Sequence, residues 1–580
     1  YYFSHFKALA NLDLNNSFDP LISNLGNYPI PTAAFTIHFI FYKIFGSTGF
    51  IICEFIFILL FFIIFYKISR LINFSRIESL TISFILYNIP YFLQFAGIDH
   101  MKYVSVMLSE FYSLRFPRPL VSNIFFFIFI SYLMKLNYKN IFTKRNSIYL
   151  GIISGLSFTS FFYVFILEQI FLILFLFSIF KFKLIKKIKD NLKYFGFYIF
   201  SFLLISSPFL INMNFTEIEF LERTGLINLN LEKKIILFNH MFFKLFKYQF
   251  LIIFLLSLLL MKLINLDFFN LRFKKLNIFF IIFYSSILAP FIFILISPIF
   301  YSHFYLFNNL IVICAFLMIF FTSISLIKFY FIKNFSVNFI NNLSVFFLVL
   351  FLTISFYQND KNYENSHLIE KKVIERKEFN LIANKINKIN SSKKNYSLLT
   401  FDNKFLVWSI LNDVKYLNIV NGVMVPKKHS MIENDLISTF KYLGLNRKDL
   451  QKFIENQKIS SWRYRNENVK NLFWMRYQAN SMITHKDTKN FDPEVLEFIN
   501  QSSPLLSQQL IMPNNEIQRL LLKFDQTLVA SYKNPGIIII NKTNSILIKS
   551  IIDENIFCKA FEGKFYVLYY SLFMNPLCKN

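Results

Sequence analysis

The sequence predicts a polytopic α-helical membrane protein of about ten spans with a C-terminal α/β domain outside the cytoplasm. Three observations support this fold class. Hydrophobic residues make up 55% of the 580 residues, and 81 residues are phenylalanine, more than one soluble core can bury. The long apolar runs lie within residues 1–357, whereas polarity stays high in residues 358–580. Short basic segments separate the apolar runs, which is typical of membrane topology.

The runs that predict membrane helices are each close to the ~17–25 residues that a helix needs to cross a bilayer. They cover 48–66, 77–97, 119–135, 147–163, 165–180, 194–213, 248–262, 277–298, 305–327 and 336–357. The fourth and fifth runs are almost continuous and form either a hairpin or one long tilted helix. In the hairpin, Glu168 lies at the external turn, where a carboxylate is solvated. Glu54 lies near the outer end of its span and can face a cavity.

Basic residues set the predicted orientation. Five alternate segments between the runs hold 19 Lys and Arg residues against three acidic residues. Residues 1–47 and the domain 358–580 are then extracytoplasmic, which indicates a bacterial inner membrane protein with a periplasmic C-terminal domain. The chain begins at Tyr1 without Met or a signal peptide. Either a further spanning helix precedes Tyr1 in a longer protein, or a secretory signal has been removed.

The net charge of +27 does not indicate a nucleic-acid partner. The 61 basic residues are spread along the chain, whereas nucleic-acid binding needs a local patch or motif. The sequence also contains no P-loop, dinucleotide fingerprint, HExxH or CxxC pair, which argues against a nucleotide-driven pump on this chain. The partner that the composition indicates is the lipid bilayer.

The first external segment contains Asn27-Tyr28-Pro29-Ile30-Pro31, followed by an apolar stretch that ends at Phe45-Gly46. This stretch of some 14 residues is too short to span and predicts a helix in the membrane interface, with Pro31 near its first turn. The loop, the Tyr-Pro-x-Pro element, the short helix and the following span resemble the first loop of the GT-C superfamily. That superfamily comprises multi-span glycosyltransferases that use polyprenyl-phosphate sugars, including the protein mannosyltransferase and aminoarabinose transferase branches.

The resemblance implies transfer of a sugar from a polyprenyl-phosphate donor to an extracytoplasmic glycan, lipid or protein. It also implies a catalytic acid early in the first loop, at or before Tyr1. Asp13 and Asp19 are the acids present in this loop, and each is also explained as a turn residue. The chemistry needs a carboxylate base, and cations or a divalent metal such as Mg²⁺ or Mn²⁺ at the leaving phosphate.

Other external loops supply further candidates. Arg115 and Arg118, each close to a proline, either anchor the loop at the interface or hold the donor phosphates, since guanidinium groups bind phosphate in a bidentate manner. Asp99 and His100 are either an acid/base or metal pair or part of a solvated loop. Further candidate substrate contacts are Tyr28, Lys102 and His303.

Residues 358–580 predict an α/β domain. Strands are expected over 396–401, 416–420, 536–541 and 564–570, and helices over 405–411, 434–457, 493–502 and 515–523. The three tryptophans, at positions 408, 462 and 474, suit either sugar stacking or a packed core. Cys558 and Cys578 can form a disulfide in an oxidising compartment, whereas Cys53 and Cys314 fall in spans and are expected to be unpaired.

Two other functions stay open. One is a transporter, flippase or polymerase of lipid-linked glycans, and the other is a membrane anchor that presents the C-terminal domain. No internal repeat is evident, and the polar candidates concentrate in external loops rather than at mid-span, which favours the transferase over a transporter. Ten spans are more than an anchor needs.

Overall fold

The structure is a computed structural model that forms two compact units. One is Pro29–Ile211 with Asn228–Glu364, here called the helical unit, and the other contains Asn365–Asn580 and is called the C-terminal unit. The described residues are 32–46, 48–95, 108, 120–136, 141–214, 226–228, 231–245, 248–265, 275–301, 306–334, 336–363, 366–390, 398–400, 414, 417–419, 428–442, 444–455, 514–527, 536–542 and 557–572.

The described part of the helical unit consists mainly of helices. Its described helices are α1 (Thr32–Phe45), α2 (Thr48–Leu71), α3 (Arg76–Phe95), α4 (Leu120–Lys135), α5 (Lys144–Ser160), α6 (Phe162–Phe180), α7 (Leu184–Asp190), α8 (Leu192–Asn214), α9 (Leu231–Leu245), α10 (Tyr248–Asn265), α11 (Asn277–Ile296), α12 (Leu306–Asn334) and α13 (Val337–Tyr363). Two short strands, β1 (Leu226–Asn228) and β2 (Ile299–Tyr301), follow α8 and α11.

Six stretches of the described helices are long and apolar enough to cross a membrane. They are Thr48–Leu71, Phe162–Asp190, Leu192–Ile211, Asn277–Ile296, Phe307–Tyr330 and Asn338–Ser355. These helices have the length and composition of a multi-pass membrane protein, as the sequence predicts. The other four predicted runs also form helices, namely α3, α4, α5 and α10. The number of membrane crossings stays a prediction, because helix formation alone does not establish a crossing.

The fourth and fifth apolar runs form a hairpin of α5 and α6. The chain turns at Phe161, whose φ of −159° and ψ of 102° are extended. Hydrogen bonds from Ser157 to Glu168 and from Gln169 to Ser154 join the two helices side by side in antiparallel directions. The prediction that Glu168 lies at a solvated turn is wrong. The break between α5 and α6 lies at Phe161, about two helical turns before Glu168. Glu168 therefore faces α5 and is fully buried.

Phenylalanine side chains fill the described core of the helical unit. The Phe127 ring of α4 meets two rings of α2, with its centroid 5.8 Å from that of Phe61 and 4.8 Å from that of Phe65. On α11 and α12, Phe279 stacks on Phe321 with 4.5 Å between ring centroids. Such pairs add roughly 0.5–1.5 kcal/mol beyond the burial of their area. The aromatic excess therefore serves helix packing as well as contact with lipid.

Two glycines of α5 allow a close approach of α8. A Cβ at Gly151 would overlap the backbone carbonyl of Tyr198, and a Cβ at Gly155 would lie 2.8 Å from the Cβ of Ile205. The two glycines are four residues apart, which is the small-xxx-small pattern of packed membrane helices. In contrast, Gly196 on α8 has nothing within 4 Å of the position of a Cβ.

We expect Gly151→Leu to lower the thermal stability of the detergent-solubilised protein, because overpacking a tight contact costs about 1–3 kcal/mol. Gly196→Leu is the matched control, since it makes the same change on an open helix face. Thermal melts by intrinsic fluorescence measure both variants. Equal melting temperatures for the two variants would contradict the close α5–α8 contact.

The C-terminal unit contains a five-stranded mixed sheet with the order β4-β3-β5-β7-β6. Its strands are β3 (Leu398–Thr400), β4 (Leu417–Ile419), β5 (Ile537–Asn541), β6 (Phe557–Glu562) and β7 (Tyr566–Ser571). β3 pairs in parallel with β4 and β5, whereas β7 pairs antiparallel with β5 and β6. The described helices of this unit are α14 (Ser366–Asn390), α15 (His429–Tyr442), α16 (Arg447–Glu455) and α17 (Asn514–Gln526).

Most predicted elements of this unit that fall on described residues are present. β3, β4, β5 and β7 coincide with the four predicted strands, while β6 is an additional strand. The predicted helix 434–457 is instead α15 and α16, because the chain turns at Gly444 with a φ of +83°. The predicted helices 405–411 and 493–502 and the three tryptophans lie outside the described residues.

A buried carboxylate ties α14 to the sheet. Glu378 accepts hydrogen bonds from the backbone N–H groups of Phe565 (3.0 Å) and Tyr566 (2.7 Å), where β6 turns into β7. Phe379 and Ile382 of α14 are fully buried in the same core. The carboxylate thereby satisfies two N–H groups that would otherwise be buried without an acceptor.

Glu378→Ala should destabilise the C-terminal unit by about 2–3 kcal/mol, because hydrogen bonds to a charged group are worth about 1.5–3 kcal/mol and the N–H groups lose their acceptor. Urea denaturation of the full chain, followed by limited proteolysis of this unit, measures the effect. Glu370→Ala on the exposed face of α14 is the control. An equal loss of stability in both variants would show that the hydrogen bonds of Glu378 to the backbone do not stabilise this unit.

Candidate functional site

The predicted interfacial helix forms with the expected ends. α1 begins directly after Pro31 and ends at Gly46, whose φ of +61° suits glycine and whose N–H donates to the Tyr42 carbonyl at 2.8 Å. At 14 residues, α1 is about 21 Å long and shorter than the hydrocarbon core of a bilayer. It packs on α2 and α5.

α1 has one packed face and one exposed apolar face. Ala34, Phe35 and His38 are buried, whereas Ile40 and Ile44 are exposed. An apolar surface of this kind on a short helix suits contact with the acyl region of a lipid leaflet.

His38 attaches α1 to α2 in its neutral form. Its Nδ1–H donates to the Ala34 carbonyl at 2.7 Å, and its ring lies 5.5 Å from the Phe57 ring of α2. Burial lowers the pKa of His38 from 6.5 to about 4, although the hydrogen bond to Ala34 opposes this shift. The imidazole is uncharged at neutral pH, which allows it to pack against an aromatic ring.

Most sequence-predicted site residues lie outside the described residues. These are Asp13, Asp19, Tyr28, Asp99, His100, Lys102, Arg115, Arg118 and His303. Glu54 is described and lies on α2, near the start of this helix, with its side chain partly exposed. The described structure therefore brings none of these predicted residues together, and their roles stay predictions.

Cys558 of β6 is disulfide-bonded. Its predicted partner, Cys578, lies outside the described residues. Cys53 and Cys314 carry free, buried thiols. A disulfide suits an oxidising compartment, which agrees with the predicted extracytoplasmic position of this unit.

A polar cluster that sequence reasoning missed lies where α5, α6 and α8 meet. The Ser157 hydroxyl donates to Glu168 Oε1 at 2.6 Å. Beside it, the Tyr198 hydroxyl lies 2.7 Å from Gln169 Oε1 and 2.9 Å from Ser154 Oγ, and Gln169 Nε2 donates to Ser154 Oγ at 3.3 Å. We call these five residues the Glu168 cluster.

Three residues of the Glu168 cluster are fully buried, whereas Gln169 and Tyr198 are partly exposed. Ser154, Ser157 and Glu168 have no solvent-exposed surface. Glu168 Oε2 and the hydroxyl of Ser160, one turn beyond Ser157, have no hydrogen-bond partner among the described residues. A buried ionisable group with unfilled hydrogen-bonding capacity is costly and marks a candidate functional position.

A sequence signal for this cluster exists on α5. Ser154, Ser157 and Ser160 recur at a spacing of three, which places them on neighbouring turns of one helix face, and Gly151 and Gly155 mark the side that meets α8. A polar face on a predicted membrane helix must contact polar partners within the bundle. Because Glu168 is predicted from the sequence to lie at an external turn, its hydrogen bond with this face of α5 is not predicted.

The described residues contain no group of three or more His, Cys, Asp or Glu side chains that could hold a metal ion. Asp99 and His100, the predicted metal pair, are outside this part of the chain. The divalent ion implied by the superfamily resemblance therefore stays a prediction.

Comparisons of the chain with protein-family models, curated proteins and solved structures find no match. A functional inference for this chain consequently depends on the chemistry of its own residues.

Acidification should loosen α1 because of His38. Between pH 6.5 and about 4 the unfolded imidazole binds a proton and the folded one does not, so stability contributed by the buried ring is full above pH 6.5 and is lost as the pH falls. Melting temperatures at neutral pH and near pH 5 should therefore differ more for the wild type than for His38→Asn, which keeps an N–H donor but does not titrate. An identical pH dependence in both proteins would contradict this assignment.

Proposed function

We propose that the chain is a membrane glycosyltransferase of the GT-C type, which transfers a sugar from a polyprenyl-phosphate donor to an extracytoplasmic acceptor. The main support for the proposal is the presence and position of α1. It is a short apolar helix between the Tyr28-Pro29-Ile30-Pro31 element and the first long apolar helix, with the ends that the superfamily's first loop leads one to expect.

The packing of α1 supports a lipid-linked substrate. Phe35 and His38 lie on its buried face, His38 packs on Phe57 of α2, and a Cβ at Gly49 of α2 would overlap the Phe41 carbonyl. The exposed face presents Ile40 and Ile44. A polyprenyl chain is itself apolar, so that a rigidly held apolar helix at the interface suits its first isoprene units.

The proposed reaction uses residues of the external loops. Asp13 or Asp19 accepts the proton of the acceptor hydroxyl, whose oxygen forms a bond to the anomeric carbon. The bond between that carbon and the phosphate oxygen breaks, and polyprenyl phosphate leaves with the electron pair. Arg115 and Arg118 offset the charge on this phosphate, with Mg²⁺ or Mn²⁺ as a further source of positive charge. A bacterial inner membrane with the loops and C-terminal unit in the periplasm suits such a reaction.

A transporter or flippase of lipid-linked glycans is the second candidate function. The Glu168 cluster favours it, because substrate and ion sites of transporters lie among helices within the bundle. The expectation that polar candidates are confined to external loops is wrong for Glu168, which is buried between α5 and α6.

Replacing Arg115 and Arg118 by Ala should reduce sugar transfer on the order of a hundredfold, as the loss of a charge-stabilising group in an active site typically does. The assay uses the full chain in proteoliposomes with a radiolabelled polyprenyl-phosphate sugar and membrane-extracted acceptors. Arg145→Ala is the matched control, because Arg145 is exposed at the start of α5.

Two outcomes separate the candidate functions. Movement of the labelled lipid between leaflets without cleavage of the sugar–phosphate bond would support the flippase and overturn the transferase. A chain that neither transfers sugar from any lipid-phosphate donor tested nor binds such lipids would also overturn the transferase.

A further inference from the structure

We propose that Glu168 is a proton-binding site inside the helical unit, with its carboxyl group neutral at neutral pH. The inference goes beyond both candidate functions and depends on neither. It rests on the burial of Glu168, the number of its hydrogen-bond donors and the charges around it.

The carboxyl group receives too few donors to be ionised in its buried position. Ser157 supplies one hydrogen bond to Oε1, and Oε2 has no partner among the described residues. An ionised carboxylate has about four acceptor positions, and leaving them unfilled away from water is strongly unfavourable. One hydroxyl donor does not offset the loss of hydration, so that binding a proton is the favourable response.

No cation among the described residues neutralises Glu168. α6 packs on α4, α5, α11 and α12, it contacts the 3-10 turn Lys181–Lys183 and α7 that follow it, and α8 adds Tyr198 to the cluster. The described titratable or charged groups on these elements are Tyr132 and Lys135 on α4; Lys144, Arg145 and Tyr149 on α5; Tyr163 on α6; Lys181 and Lys183 on the 3-10 turn; Lys186, Lys187, Lys189 and Asp190 on α7; Lys193, Tyr194 and Tyr198 on α8; Tyr284 on α11; and Cys314, Lys328 and Tyr330 on α12. None forms an ion pair with Glu168, and Lys328 pairs with Glu78 instead.

The other buried carboxyl groups among the described residues have cation or backbone N–H partners, which Glu168 lacks. Glu78 contacts Lys328 Nζ at 2.6 Å, and Glu433 of the C-terminal unit contacts Arg519 and Lys523, each at 2.8 Å. Glu378 accepts backbone N–H groups. A cation or several N–H dipoles therefore replace the hydration of these three carboxyl groups. Glu168 has neither kind of partner in the described structure.

A hydrophobic carbodiimide tests the protonation state, because it reacts with a neutral carboxylic acid. The acid O–H proton moves to a carbodiimide nitrogen and the carboxyl oxygen bonds to the central carbon; the adduct then rearranges to a stable N-acylurea without losing atoms. The full chain in lipid nanodiscs is treated with dicyclohexylcarbodiimide at neutral and alkaline pH, digested and analysed by mass spectrometry. Infrared spectroscopy of the same samples records the C=O stretch of neutral carboxylic acids.

We expect a Glu168 adduct at neutral pH and a neutral-acid infrared band that Glu168→Gln removes. Glu78 should stay unmodified in the same sample, because its carboxyl group forms an ion pair with Lys328 at 2.6 Å. Glu54→Gln, in α2, is the matched variant and should leave the band of Glu168 in place. Glu168→Gln should also fold with an unchanged melting temperature, because the amide resembles the neutral acid in shape and charge.

If the carbodiimide cannot reach the cluster, infrared spectroscopy alone tests the proposal. A neutral-acid band that disappears in Glu168→Gln supports the proposal even without an adduct. Absence of such a band in the wild type at neutral pH, or its persistence in Glu168→Gln, would overturn it. Labelling of both Glu78 and Glu168, each to the same measurable extent, would also overturn it, because the partners of the two carboxyl groups would then make no difference.

Discussion

Within a bilayer every backbone N–H and C=O must find its partner inside the protein, and the helical unit depends on this constraint. Helices satisfy it locally, and the described part of residues 32–363 is almost entirely helical as a result. Side chains follow the same rule. The hydroxyls of Ser83, Thr159 and Ser206 donate to carbonyl groups four residues earlier on their own helices, which allows polar residues to lie on apolar helices at little cost.

Glu168 cannot follow this rule, because a carboxyl group in an apolar bundle needs donors from outside its own helix. The α5–α6 hairpin supplies Ser157, and the approach of α8 at Gly151 and Gly155 brings Tyr198 to the neighbouring residues. One partially satisfied carboxyl group, held where three helices meet, distinguishes this place from the rest of the described bundle. The contrast with Glu378, whose acceptor atoms are filled by a tight turn, separates a carboxylate with a structural role from one that is available for chemistry.

Two parts of the helical unit therefore bear on function in different ways. α1 presents an apolar face and follows, in the sequence, the segment that holds Asp13 and Asp19, which suits the chemistry proposed for a lipid-linked sugar. The Glu168 cluster lies among the helices, where a proton can be stored but a sugar acceptor cannot approach without a change in helix packing. A transferase needs the first feature, and a transporter makes direct use of the second.

The sequence by itself determined the elements whose ends have local causes. Gly46 ends α1, and the Ile537–Asn541 run predicts β5, because glycine at positive φ and apolar β-branched runs act over a few residues. Only the tertiary structure decided that Glu168 faces α5 and that β6 joins the sheet beside β7. Phe161 breaks the helix without a proline or glycine, and Phe557–Glu562 alternates weakly, so both outcomes depend on partners distant in sequence. Those distant residues determine whether a carboxyl group is buried, and burial in turn determines its chemistry.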